Sequence, residues 1–219
     1  VNFLSNLDHF DYFLQIGTSE VYGATQEPAD ESMIAPTSPY SISKLAADLF
    51  LQSMNNVRGF PCSIIRPSNC FGEGQYTYRI IPKAFLCMLN GRRFPLEGGG
   101  AAMKSFMYVE NLYSAVNLIL EMRPRGQIYN CGPDKAISMA DLVREICVVM
   151  GKTYEDAIEI TEGRMFEDSI YWLNSEKIKT ELGWKQTISL QKGLLKMYEW
   201  ARLYSTKLNN KEVKFELRA

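Results

Sequence analysis

Tyr40 and Lys44 stand four residues apart, and on a helix that spacing puts both side chains on one face, one turn from each other. A lysine ammonium at that distance favours the phenolate, making a general base from a group that ordinarily titrates near 10. Alone the pair is a weak signal: 12 tyrosines and 13 lysines in 219 residues give about 0.7 such pairs by chance. Its weight comes from what precedes it. Thr18 lies 22 residues before Tyr40 and opens Thr18-Ser19-Glu20-Val21-Tyr22-Gly23, which sets two hydroxyls and a carboxylate at the end of a short apolar run.

The elements needed to bring these side chains together are written around them. Tyr12-Phe13-Leu14-Gln15-Ile16-Gly17 is an apolar run ending in glycine, the pattern of a strand buried on both faces of a parallel sheet. Residues 24–39 are rich in Pro, Asp, Glu, Ser and Thr and read as a loop closed by Pro36-Thr37-Ser38-Pro39. Leu45, Ala46, Leu49, Phe50, Gln52 and Met54 then recur at helical spacing, so a helix starts near Tyr40 and closes at Arg58-Gly59. Pro61-Cys62-Ser63-Ile64-Ile65-Arg66-Pro67 is the next strand, which completes a parallel crossover unit. Ligands of open parallel sheets bind at the carboxyl ends of the strands, and that brings Thr18 and Tyr40 to one crevice.

The alternation continues along the chain. Helices are predicted from Ile80 to Leu89 with Asn90-Gly91 after it, from Val109 to about Leu120, from a capping box at Ser138-Met139-Ala140-Asp141 to Met150-Gly151, and from about Ser189 to Tyr204. Gly126 to Cys131 reads as a strand, and Glu97 to Ala102 as a flexible turn. The composition, 46% hydrophobic and 22% charged, is that of a globular chain and excludes disorder, collagen and coiled coil. Lys+Arg 24 against Asp+Glu 25 leaves a net charge of −1, which offers no footprint for nucleic acid. Five cysteines with no Cys-x-x-Cys pair fit reduced thiols in a cytoplasm. No apolar run approaches the ~18 residues of a membrane span. With a single histidine, His9, read as structural or surface, neither a Ser-His-Asp centre nor a metal site is expected.

Six stretches, all in order, carry a resemblance. They are Thr18-Ser19-Glu20-Val21-Tyr22-Gly23, Ser38-Pro39-Tyr40-Ser41-Ile42-Ser43-Lys44, Arg66-Pro67-Ser68-Asn69-Cys70-Phe71-Gly72, Arg79-Ile80-Ile81-Pro82-Lys83, Phe106-Met107-Tyr108-Val109-Glu110-Asn111 and Ile128-Tyr129-Asn130-Cys131-Gly132. Over roughly Tyr12 to Trp200 the chain resembles an extended short-chain dehydrogenase/reductase of the NAD-dependent epimerase/dehydratase family. Within that family it is most similar to the nucleotide-sugar 4,6-dehydratases of dTDP-glucose or GDP-mannose type.

The resemblance implies an α/β fold: part of an NAD-binding Rossmann fold with a small substrate-binding lobe. Residues 1–72 and 103–125 would form the Rossmann-type catalytic part, 73–102 and 126–204 the lobe, and 205–219 a loosely ordered tail. It implies a nucleotide-diphosphate sugar as substrate, NAD as cofactor and a homodimer. Tyr40, Lys44, Thr18, Glu20 and Ser19 would be catalytic. Tyr40, backed by Lys44 and with Thr18 nearby, would take the proton from the sugar O4 as C4 is oxidised, and Glu20 would take the C5 proton so that water leaves C6. Ser19 stands where many dehydratases carry Asp. Tyr40, Lys44, Pro67 and Ser68 would touch the cofactor, and Asn69, Arg79, Lys104, Asn130 and Arg164 the substrate. The alternatives are a nucleotide-sugar 4-epimerase or 4-ketoreductase in the same fold, and a non-catalytic nucleotide-sugar-binding fragment.

The family's Gly-x-x-Gly-x-x-Gly loop, which seats the NAD pyrophosphate at a helix N-terminus, has no counterpart here, so the sequence is expected to correspond to the carboxyl-terminal part of such a protein. Two departures fall in the phosphate site. Lys104-Ser105 replaces Arg-Asp, and Arg164-Met165-Phe166-Glu167-Asp168 replaces Arg-Pro-Gly-His-Asp, which implies a different grip on the nucleotide.

Overall fold

A computed structural model describes residues 10–162 and 170–208. His9, Arg164 and residues 209–219 lie outside the described residues. The first strand, β1 (Phe13–Ile16), pairs in parallel with β2 (Cys62–Pro67), Phe13 opposite Cys62 and Ile16 opposite Ile65. The crossover between them is α1 (Pro39–Arg58). Its start is fixed by reciprocal capping: the Ser41 N–H donates to Ser38 Oγ and the Ser38 N–H to Ser41 Oγ, with Pro39 preset for the first turn. Gly59 ends the helix in the left-handed conformation, φ 64°.

In chain order there follow β3 (Asn69–Phe71), α2 (Ile80–Leu89), β4 (Phe94–Glu97), β5 (Met103–Lys104), β6 (Phe106–Tyr108) and α3 (Val109–Met122). Then come β7 (Ile128–Cys131), β8 (Ile137–Ser138), α4 (Met139–Met150), β9 (Ile158–Thr161), β10 (Ile170–Tyr171), α5 (Glu176–Leu182) and α6 (Leu190–Leu208).

The central sheet is parallel throughout, in the order β1-β2-β7, with Pro67 opposite Cys131. Its middle strand buries both faces, as a period of two requires. Cys62 and Ile64 pack with Leu51 of α1, Phe60 and Ile128. Ile65 packs on the opposite face with Ala115 and Ile119 of α3 and Ile178, Leu182 and Trp184 at α5. Each leucine, isoleucine or phenylalanine among them withdrawn from water is worth about 1.5–3 kcal/mol. Helices on both faces make the sheet a Rossmann-type layer.

A separate core joins α2, α4 and α6 through Phe85, Met88, Leu142, Ile146, Leu194 and Met197, and the parallel pair β4-β9 adds Phe94, Leu96 and Ile158. Two boundaries of the expected division shift. Residues 126–131, expected in the lobe, end in β7, the third strand of the central sheet, and 176–184 cover that sheet's face, because their apolar side chains meet β2 and α3 rather than α4. The tail expected from residue 205 begins as the last turn of α6, which runs to Leu208.

Candidate active site

All three central strands point their carboxyl ends the same way, so the residues that follow them gather on one edge. After β1 the Gly17 N–H extends the ladder to the Ile65 carbonyl at 2.7 Å. The chain then turns through the 3-10 helix Ser19–Tyr22. Thr18 caps that turn by accepting the Glu20 N–H at 3.2 Å, a contact that leaves its own hydroxyl proton to be donated. Glu20 is exposed at the mouth, while Ser19, Val21 and Tyr22 are buried beneath it.

Tyr40 occupies the first turn of α1 and is 52% exposed, so its ring is open to a ligand. Lys44 lies one turn on and donates from Nζ to the Ile16 carbonyl at 3.1 Å. That bond pins the ammonium to the carboxyl end of β1, next to Gly17-Thr18. After β2, Ser68 is buried; its N–H donates to the Cys131 carbonyl, and its Oγ has no hydrogen-bond partner among the described residues. A Cβ on Gly132 would stand 2.9 Å from the Ser68 Cβ, so glycine is what lets the ends of β2 and β7 approach each other here. Thr18, Ser19, Glu20, Tyr40, Lys44, Pro67, Ser68 and Asn69 thus lie along one edge of the sheet.

The remaining expected residues divide. Lys104 sits in β5, two residues before Phe106, whose register partner is Asn69. Arg79 is exposed at the start of α2, with its guanidinium over the Tyr78 ring at 5.5 Å. Asn130 is corrected: it is fully buried, its Oδ1 accepts from Tyr22 Oη at 2.5 Å, its Nδ2 donates to the Ala29 carbonyl and its N–H to Glu31 Oε1. With these atoms engaged in the interior, Asn130 holds the fold and does not meet substrate.

The same bonds lead to a cluster the sequence analysis did not single out. Arg66, 1% exposed on β2, donates from Nε to Asp48 Oδ2 at 2.9 Å and from Nη1 to Tyr22 Oη at 2.9 Å and the Glu31 carbonyl at 3.2 Å. Its guanidinium also lies 5.2 Å from the centre of the Tyr22 ring. Burial pushes the Tyr22 phenol up to about 12 despite the nearby cation, so it stays a protonated donor. Burial likewise raises Asp48 against the opposing pull of Arg66. The available signal was spacing: Asp48 lies four residues past Lys44 on the helix that must cover the sheet, and Arg66 shares the inward phase of Cys62 and Ile64.

Comparison with known proteins places the chain in a family and a fold. The profile of the family described as GDP-mannose 4,6 dehydratase matches residues 5–197. The chain is 33% identical over 193 residues to the trifunctional UDP-glucose 4,6-dehydratase/UDP-4-keto-6-deoxy-D-glucose 3,5-epimerase/UDP-4-keto-L-rhamnose-reductase of Arabidopsis thaliana, over 86% of this chain and 29% of that protein. It is 32% identical over 197 residues to dTDP-D-glucose 4,6-dehydratase of Mus musculus, over 87% of this chain and 55% of the other. Among solved structures, dTDP-glucose 4,6-dehydratase from Bacillus anthracis in complex with NAD superposes with a TM-score of 0.81 at 31% identity, over 88% of this chain and 62% of that one. UDP-glucuronic acid 4-epimerase from Bacillus cereus, at 23% identity, shares the fold with a TM-score of 0.82 over 89% of this chain and 62% of the other. This chain therefore spans under two thirds of the length of each. The matched region takes in the strand-end turn, the Tyr40-Lys44 helix and the central sheet, and the chain belongs to the GDP-mannose 4,6 dehydratase family, among the extended short-chain dehydrogenases.

Proposed function

We propose that the protein of which these residues form part is an NAD-dependent nucleotide-sugar 4,6-dehydratase, converting a nucleoside-diphosphate hexose to its 4-keto-6-deoxy form. The observation that carries this reading is Glu20, an exposed carboxylate on the turn capped by Thr18, beside the strand end where Lys44 is pinned. Tyr40 moves the proton at the sugar O4, Lys44 carries a positive charge one helical turn away, and Thr18 donates its hydroxyl proton to a substrate oxygen. A ketone at C4 makes the C5 proton acidic; Glu20 takes it, the C5–H pair forms the C5–C6 double bond, and the C6 hydroxyl leaves as water with a proton passed on from Glu20, which is then reprotonated from solvent. Glu20, open to solvent, returns a proton to C5 when C6 is reduced.

NAD supplies the hydride acceptor and donor. The donor set fits its nicotinamide end: Lys44 offers an ammonium, and Ser68 a buried hydroxyl with no partner among the described residues, beside Pro67. The 219 residues contain no Gly-x-x-Gly-x-x-Gly pattern for its pyrophosphate. Asn69, Arg79 and Lys104 are assigned to the nucleotide sugar. A cytoplasmic setting is supported by five free thiols, and no helix among the described residues is long and apolar enough to cross a membrane. A homodimer is carried forward from the resemblance, and α1 exposes Ile42, Leu49 and Val57.

A C4 epimerase needs no base at C5, so Glu20→Gln in the full-length protein separates the two readings. The amide cannot accept the proton. The variant is expected to release no 4-keto-6-deoxy sugar while still folding and binding its nucleotide sugar. Release of 4-keto-6-deoxy sugar at the unmutated rate would remove Glu20 as the elimination base, and exchange of C4 configuration would put the epimerase or reductase reading ahead.

A further inference from the structure

We propose that the buried Arg66 guanidinium is a positioning group that sets the elimination base Glu20 against the Tyr40-Lys44 pair. The inference deepens the dehydratase reading and rests on it. The two halves of the site are carried by separate pieces of chain: Tyr40 and Lys44 by α1, Thr18 and Glu20 by the turn after β1. One side chain reaches both. Arg66 Nε holds Asp48, which lies on α1 one turn beyond Lys44, and Arg66 Nη1 holds the hydroxyl of Tyr22, two residues past Glu20 in the same 3-10 turn.

The fork geometry matters here. A planar guanidinium with donors in fixed directions defines the angle between two partners, whereas a single ammonium head cannot. Tyr22 is fixed on its far side by donating to Asn130 Oδ1 on β7, so the turn is clamped between β2 and β7. Gly17 completes the fit: a Cβ there would stand 3.1 Å from the Arg66 Cγ and 3.4 Å from both Asp48 carboxylate oxygens, so the network lies directly beneath the strand end that carries Thr18. None of Arg66, Asp48 or Tyr22 is exposed, and none can touch a ligand. Their effect on chemistry is through geometry.

The test uses the full-length enzyme with Tyr22→Phe, which keeps the ring but removes the shared hydroxyl, and Arg66→Lys, which keeps a cation for Asp48 but loses the fork; the second covers the case in which the first does not fold. Thermal melting and circular dichroism establish a temperature at which each variant is folded, and kcat, KM and the kinetic isotope effect with substrate deuterated at C5 are measured there. Misplacing a base by ~1 Å can cost on the order of 10²-fold. The expected result is kcat lower by about 10- to 100-fold, KM little changed, and an isotope effect that rises because C5–H cleavage has become slower relative to the other steps. A lower melting temperature with kcat and the isotope effect unmoved, or a fall in kcat with the isotope effect unmoved, would overturn the proposal and leave Arg66 a packing group. Failure of the unmutated enzyme to form any 4-keto-6-deoxy sugar would instead overturn the dehydratase reading.

Discussion

Tyr40 can be changed without disturbing what surrounds it, because its ring is half in solvent and its helix is started by Ser38, Pro39 and Ser41 rather than by its own side chain. Tyr40→Phe in the full-length enzyme is therefore expected to fold and to bind substrate, and to lose turnover by a factor on the order of 10² or more, the usual worth of general-base assistance. Steady-state kinetics on the variant check this; unchanged kcat would remove Tyr40 from the mechanism. At this scale the sequence was a good guide to position. Thr18 and Glu20 stand on the turn after β1, and Tyr40 and Lys44 in the first turns of α1, on elements whose periodicity is strong. It was a poor guide to Asn130. Nothing local reveals that a tyrosine 108 residues earlier places its hydroxyl on that amide, so a strand-end asparagine looked like a ligand contact.

The elements that hold the site are joined by buried polar residues as much as by apolar faces. Asn111, in the first turn of α3, is fully buried: its Nδ2 donates to the Ile188 carbonyl at 2.8 Å, and its Oδ1 accepts the N–H groups of Thr187 and Ile188 at 3.1 and 3.0 Å. Its carbonyl also takes the Trp184 indole N–H at 3.1 Å. This one side chain ties α3 to the segment leading into α6, and therefore the sheet face to the lobe. Asn111→Ala leaves backbone groups of 187 and 188 without partners, each worth about 1–3 kcal/mol when buried, and is expected to lower the melting temperature markedly in a thermal denaturation scan while leaving Tyr40 and Lys44 in place. A melting temperature equal to that of the unmutated protein would mean the segment finds other partners. Helix limits were legible because they are written locally, in Ser38, Gly59, Ser138 and Gly151. The β4-β9 pair was not. Phe94–Glu97 and Ile158–Thr161 are four residues each, one contains Pro95, and they pair across 60 residues of intervening chain, so the contact that makes them strands is entirely long-range.

At the scale of the molecule, a three-stranded parallel sheet among the described residues, with helices on both faces, gathers the strand-end residues along one edge, and a second core behind α2, α4 and α6 supports the segment that carries Arg79. The order of strands and helices was readable from alternation alone, whereas the division between sheet layer and lobe was not, because β7 and α5 return to the sheet after the lobe has begun. An elimination across C5 and C6 at this edge would leave a label at C5 that can be read directly. The full-length gene product is incubated with NAD and UDP-, dTDP- and GDP-hexoses in deuterium oxide, and the products are read by mass spectrometry and NMR. A 4-keto-6-deoxy sugar is expected from one of these substrates, carrying deuterium at C5 where Glu20 has removed a proton and returned one taken from solvent. A product that is the C4 epimer with protium retained at C5, or a 4-keto-6-deoxy sugar without deuterium at that carbon, would contradict it.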